Sequence, residues 1–100
     1  MQETICQAIC AKRTLTVHQK TSTTTLVRVV EPYALYPTAD GTLILESRLV
    51  AGDYGKTRPP HWCPIPLAEI TVVRMRDEPF QVHLTYKPQH KKYARALCRV

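Results

Sequence analysis

Few stretches of this chain announce a chemistry. Its 100 residues hold three glycines, one phenylalanine and one tryptophan. No glycine-rich loop is present to cradle a phosphate, and no serine stands in a nucleophile motif with a base beside it. The carboxylates Glu31, Glu46 and Glu69 show no pairing that spacing identifies, so the chain reads as non-enzymatic and implies no cofactor. No apolar run approaches the roughly 20 residues that a membrane-spanning helix needs. Met1-Gln2-Glu3-Thr4 lacks the positive charge and long apolar run of a secretory signal, so a cytoplasmic setting is expected. There Cys6, Cys10, Cys63 and Cys98 are expected to be reduced thiols, with no disulfide framework.

Positive charge is plentiful. Fourteen Lys and Arg against eight Asp and Glu leave a net +6, a balance that favours polyanions, nucleotides or an acidic partner. From Tyr86 onward no carboxylate occurs, while Lys87, Lys91, Lys92, Arg95 and Arg99 do. This basic tail, 88–100, admits a short helix with Lys91, Arg95 and Arg99 on one face and Tyr93, Leu97 and Val100 on another. It would follow a phosphate backbone, with Tyr86 or Tyr93 stacking on a base, or else pack its apolar stripe inward and leave its lysines in water.

A chain of this length makes one domain, residues 1–100, with one modest core. Ile5, Ile9 and Lys12 fall at helical spacing, which predicts a short amphipathic helix over 3–12. Leu15-Thr16-Val17-His18 alternates and is β-branched, as strands are. Two further strands, Leu26 to Val30 and about Thr42 to Leu49, flank a turn signal at Thr38-Ala39-Asp40-Gly41. A loop with two glycines and a Pro-Pro pair follows, from Val50 to Pro60. Strands are expected again at Ile65 to Leu67, weakened by Pro64 and Pro66, at Ile70 to Met75, and at Phe80 to Tyr86, where Phe80, Val82, Leu84 and Tyr86 alternate. Many short strands joined by turns argue for a mainly β protein, a small antiparallel barrel over about 14–87 that hides its own edges.

The order Leu-Thr-Val-His, Arg-Val-Val-Glu-Pro-Tyr-Ala-Leu-Tyr-Pro, Asp-Gly-Thr-Leu-Ile-Leu, Pro-Leu-Ala-Glu-Ile and Asp-Glu-Pro-Phe, spread over residues 15–80, resembles the WYL domain. That family consists of bacterial proteins, mostly transcriptional regulators with a helix-turn-helix in front of an Sm-like (Src-homology-3-like) β-barrel. The resemblance implies that fold, preceded by a short helix, and a ligand-sensing or nucleic-acid-binding role in regulation. Thr42-Leu43-Ile44 stands where the name-giving Trp-Tyr-Leu would be, and Glu69 occupies a position that is basic in the family. About 14 residues precede the first strand, so a complete regulator of that design is not expected.

The resemblance places a basic face on the strands, since guanidinium groups bind phosphate and other anions bidentately. Here Arg28, Arg48, Arg58 and His18 would supply it, for a small anionic, nucleotide-like ligand or single-stranded nucleic acid. Lys91, Lys92, Arg95 and Arg99 form a secondary patch. Trp62, between Pro60 and Pro64, would cap the barrel end or anchor a partner. Cys6, Cys10, Cys63 and His61 would suffice for zinc in number, but their spacing is not that of a zinc finger, and buried thiols pack as small apolar groups. The competing reading is a protein–protein interaction or oligomerisation module with a degenerate ligand site, contacting a regulatory partner or a second copy through Trp62 and the Gly52 to Pro60 loop.

Overall fold

The computed structural model describes residues 1–100. The chain opens with α1 (Gln2–Ala11), whose Ile5, Ala8 and Ile9 recur every three or four residues and are all buried. Lys12 ends the helix in the left-handed conformation, φ 54°, and its backbone N–H donates to the carbonyls of Ala8 and Ile9. Strands follow in the order β1 (Arg13–Lys20), β2 (Thr25–Pro37), β3 (Leu43–Gly52), β4 (His61–Trp62), β5 (Ile65–Pro66), β6 (Ile70–Pro79) and β7 (Cys98–Arg99). Single 3-10 turns cover Leu67–Glu69 and Lys91–Tyr93.

All pairings are antiparallel. The main path runs β4-β3-β2-β1-β6, with β5 on β3 and β7 on β2. The long β2 organises the molecule. Its first half pairs with β1 (Leu15 opposite Val30), its second half with β7 (Leu35 opposite Cys98), and β3 runs beside both. The expected turn joins β2 to β3: Asp40 accepts from the Thr42 N–H and the Thr38 hydroxyl, and Gly41 takes φ 88°.

Leu35 and its neighbours Ala34 and Tyr36 point to opposite sides of β2, as alternation requires. Leu35 joins a core under α1 with Ile5, Ile9, Leu15, Val17 and Leu45. Ala34 and Tyr36 join a second, aromatic cluster with Tyr33, Phe80, Tyr86 and Tyr93.

Four expectations are corrected by this architecture. The sheet is mainly β and antiparallel, but it does not close into a barrel: β6 pairs only with β1, while β4 and β5 pair only with β3. The strand expected at Phe80 to Tyr86 is absent. Phe80 and Tyr86 are buried in the aromatic cluster while Leu84 is 99% exposed, and the chain turns where the Tyr86 N–H donates to the His83 carbonyl. The tail forms no helix across His90 to Val100. Lys91–Tyr93 is one 3-10 turn, after which the Leu97 and Val100 N–H groups donate to the carbonyls of Leu35 and Tyr33 and draw the chain onto the sheet.

The fourth correction concerns sulfur. Cys6 and Cys98 form a disulfide, their Cα atoms 5.6 Å apart. Ninety-two positions separate them, and only the meeting of α1 with β7 brings them together. Cys10 and Cys63 are free thiols. No helix is long and apolar enough to cross a membrane.

Candidate ligand-binding cleft

The second half of β2 and the segment from Phe80 to Tyr93 gather every aromatic residue except Tyr54. Tyr33 is the hub: its ring centroid lies 4.8 Å from Trp62, 4.8 Å from Tyr86 and 5.3 Å from Phe80. Edge-to-face and tilted contacts of this kind suit the charge distribution of aromatic rings. The indole N–H of Trp62 donates to the Thr85 hydroxyl at 3.1 Å, and Thr85 is held in turn by His83. Trp62 therefore caps the cluster, keeping part of its ring at the surface.

Beside Trp62 opens a cleft of about 350 Å³. Tyr86 and Tyr93 line it with Trp62, Lys87 and His90 stand at it, and Glu46 and Lys92 meet within it. Glu46 belongs to β3, where Ala34 of β2 is its partner, so its side chain shares the aromatic face. It is 5% exposed. Its Oε1 accepts from the Lys92 ammonium at 2.9 Å and from the Tyr93 hydroxyl at 3.3 Å, while Oε2 accepts from no protein group. A buried carboxylate persists because a cation and hydrogen bonds compensate its lost hydration.

Lys92 is held on three sides, since its Nζ also lies 5.1 Å from the Tyr93 ring centre and 5.8 Å from that of Tyr36. The phenols here resist ionisation: burial first, then the nearby Glu46 charge, raises Tyr36 and Tyr93, and burial raises Tyr86 against the opposing charge of Arg99. Burial also pushes Tyr33 up to about 12. The Tyr86 hydroxyl is buried with no hydrogen-bond partner.

The strand residues expected to form a basic face are not brought together. Arg28 lies opposite Val17, a core residue, and its Nη1 donates to the Cys63 sulfur at 2.9 Å. His18 lies opposite Val27 and Val72, one residue out of step with the Val17–Arg28 pair and so on the other side of the sheet. Its basic neighbours in a groove there are Arg74 and Arg76, and Arg76 donates to Thr14 and Thr16. Arg48 pairs with Glu31 at 3.8 Å, both side chains largely buried. Burial raises the Glu31 pKa, opposed by the Tyr33 hydroxyl and by Arg48. Arg58 is exposed in the loop after β3.

The tail residues divide as well. Lys92 enters the cleft, Arg99 donates to the Pro88 carbonyl at 3.3 Å, and Lys91 and Arg95 are exposed. No group of three His, Cys, Asp or Glu side chains is placed to hold a metal ion, and Cys6 is spent in the disulfide.

Sequence reasoning named Lys92, Tyr86, Tyr93 and Trp62 but missed Glu46, Lys87 and His90. The signal for Glu46 was a carboxylate directly after Leu43-Ile44-Leu45, inside a strand whose neighbours are apolar. Lys87 was visible only as part of the carboxylate-free basic run and nothing local marked His90; the place of both follows from the path of the chain after β6. Comparison with protein-family models, with curated proteins and with solved structures yields no match to this chain.

Proposed function

We propose that this chain is a non-enzymatic binding domain that takes a nucleotide-like ligand in the aromatic cleft, with a regulatory role of the kind the WYL resemblance implies. The observation that carries the reading is the convergence of aromatic rings and cationic groups on one cleft of about 350 Å³, at the small end of ligand pockets. A planar base packs beside Trp62, and its phosphate meets Lys87 and His90 at the rim. The excess of positive charge supports an anionic ligand and would draw it in at low salt. The N-terminal helix laid on a bent antiparallel sheet, with one long strand serving both halves, supports descent from an Sm-like barrel that has opened.

Trp62 is the single tryptophan, so its fluorescence reports on the cleft without a label. The test is a titration with AMP, GMP, CMP and UMP at low and near-physiological salt, for the parent and for Lys87→Ala. Saturable quenching that weakens with salt, and at least several-fold in the variant, is expected. Absence of saturable quenching by all four would overturn the reading.

A further inference from the structure

Resting on the reading of the cleft as a nucleotide site, we infer that Glu46 and Lys92 read the hydrogen-bonding edge of the base, so that the ligand must present an N–H beside an acceptor atom. The Glu46 side chain is 7% exposed, yet only Oε1 is used by the protein, for Lys92 at 2.9 Å and Tyr93 at 3.3 Å. Oε2 has no protein donor and keeps contact with solvent at the cleft wall, so a ligand that displaces its water must bring a donor in its place. An ionised carboxylate only accepts, so the group it receives is an N–H or O–H.

Lys92 supplies the opposite polarity next to it. Its ammonium has three N–H donors and gives one to Glu46 Oε1. The pair thus offers an acceptor and a donor side by side, pinned by the Tyr36 and Tyr93 rings that flank the ammonium. Adenine, guanine, cytosine and uracil each carry an N–H next to a ring nitrogen or carbonyl oxygen on an edge that proteins read. Sulfate, the dianionic phosphate ester of a nucleotide and simple carboxylates lack the donor. They would meet Lys92 but leave Glu46 Oε2 unfilled and bring a second negative charge toward it, which sets the base inward and the phosphate outward, toward Lys87 and His90.

The test uses the intact oxidised protein and Trp62 fluorescence, comparing AMP with its N6,N6-dimethyl analogue, CMP with its N4,N4-dimethyl analogue, GMP with its N1,N2,N2-trimethyl analogue and UMP with its N3-methyl analogue. For whichever parent nucleotide binds, the methylated partner is expected to bind at least tenfold more weakly, because the donor is gone and Oε2 stays unpaired. Glu46→Gln should narrow that difference, since an amide nitrogen turned to the cleft no longer wants a donor. A single-stranded octanucleotide of the preferred base, run alongside, distinguishes a free nucleotide from one within a strand, and either satisfies the inference if methylation abolishes the preference. Equal binding of parent and methylated nucleotides overturns the edge reading while leaving the cleft a nucleotide site. No saturable binding of AMP, GMP, CMP or UMP removes the site itself and this inference with it. The ligand comparison is made on unaltered protein, so it holds even if Glu46→Gln folds poorly.

Discussion

Cys6 on α1 and Cys98 on β7 are covalently joined, closing a sequence separation of 92 residues between the first helix and the last strand. A two-residue strand is a weak anchor on its own, and β7 pairs only with Ala34 and Leu35. Between β6 and β7 the chain has one 3-10 turn as its regular structure, yet it supplies Tyr86, Lys87, His90, Lys92 and Tyr93 to the cleft. The disulfide fixes the far end of that span. Cross-linking so long a loop restricts the unfolded chain, and Cys98→Ser or reduction is expected to cost about 4–5 kcal/mol on chain-entropy grounds. Guanidinium unfolding with and without dithiothreitol measures it; coincident midpoints would show that the bond leaves stability unchanged.

The two free thiols should differ sharply in reactivity. Cys10 is exposed, whereas Cys63 is partly buried against the core under α1, and burial raises its pKa despite the Arg28 guanidinium beside it. Thiolate is the species that reacts. Alkylation with iodoacetamide near pH 8, followed by peptide mass analysis, should label Cys10 well before Cys63, by about tenfold or more in rate. Equal labelling would mean that Cys63 is more accessible than its packing allows.

Much of the fold could be read locally, and what could not depended on distant contacts. The helix at the N-terminus, the strands at Leu15 to His18 and Ile70 to Met75, and the turn at Asp40-Gly41 each follow from short-range spacing and turn chemistry, and each is present. The alternation Phe80, Val82, Leu84, Tyr86 misled because only two of those positions face a core, and they face it from an irregular segment. The Cys6–Cys98 bond and the convergence of Glu46 with Lys92 join residues 92 and 46 positions apart, where spacing carries no information. The expected gathering of Arg28, Arg48 and His18 failed on parity and register. One residue's offset sends His18 to the opposite side from Arg28, and Arg48 is already engaged with Glu31.

Alkali should unfold the protein through its aromatic cluster. In the unfolded chain tyrosine ionises near pH 10. In the folded protein Tyr36, Tyr86 and Tyr93 are raised above that by burial, and Tyr33 is raised to about 12. Across that interval the native state holds more protons than the unfolded chain, so stability is fully present below about pH 10 and falls as pH rises toward 12. Phenolate absorbance should therefore lag behind that of a denatured sample, and urea midpoints should drop between about pH 9 and 11. Midpoints that do not move over that range would contradict the burial of these hydroxyls.

Two glycines with nearly the same backbone angle should respond differently to a methyl group. Gly41 has φ 88° and Gly52 has φ 90°, so alanine is strained at either. At Gly41 nothing lies within 4 Å of the added carbon, and Gly41→Ala should cost only the left-handed penalty, about 1–2 kcal/mol. At Gly52 the methyl would meet the Val27 carbonyl oxygen and lie 2.9 Å from the Arg28 Cα. That carbonyl accepts the Asp53 N–H at 2.9 Å, and the Asp53 carboxylate accepts the Val27 N–H at 2.8 Å. The β2–β3 pair must part there, so overpacking of about 1–3 kcal/mol adds to the strain. Because Arg28 is the residue displaced and its guanidinium rests on Cys63, Gly52→Ala should also speed alkylation of Cys63, which Gly41→Ala should leave alone. Equal stability losses and unchanged Cys63 labelling in the two variants would show that the close approach at Gly52 relaxes without disturbing the strand pair.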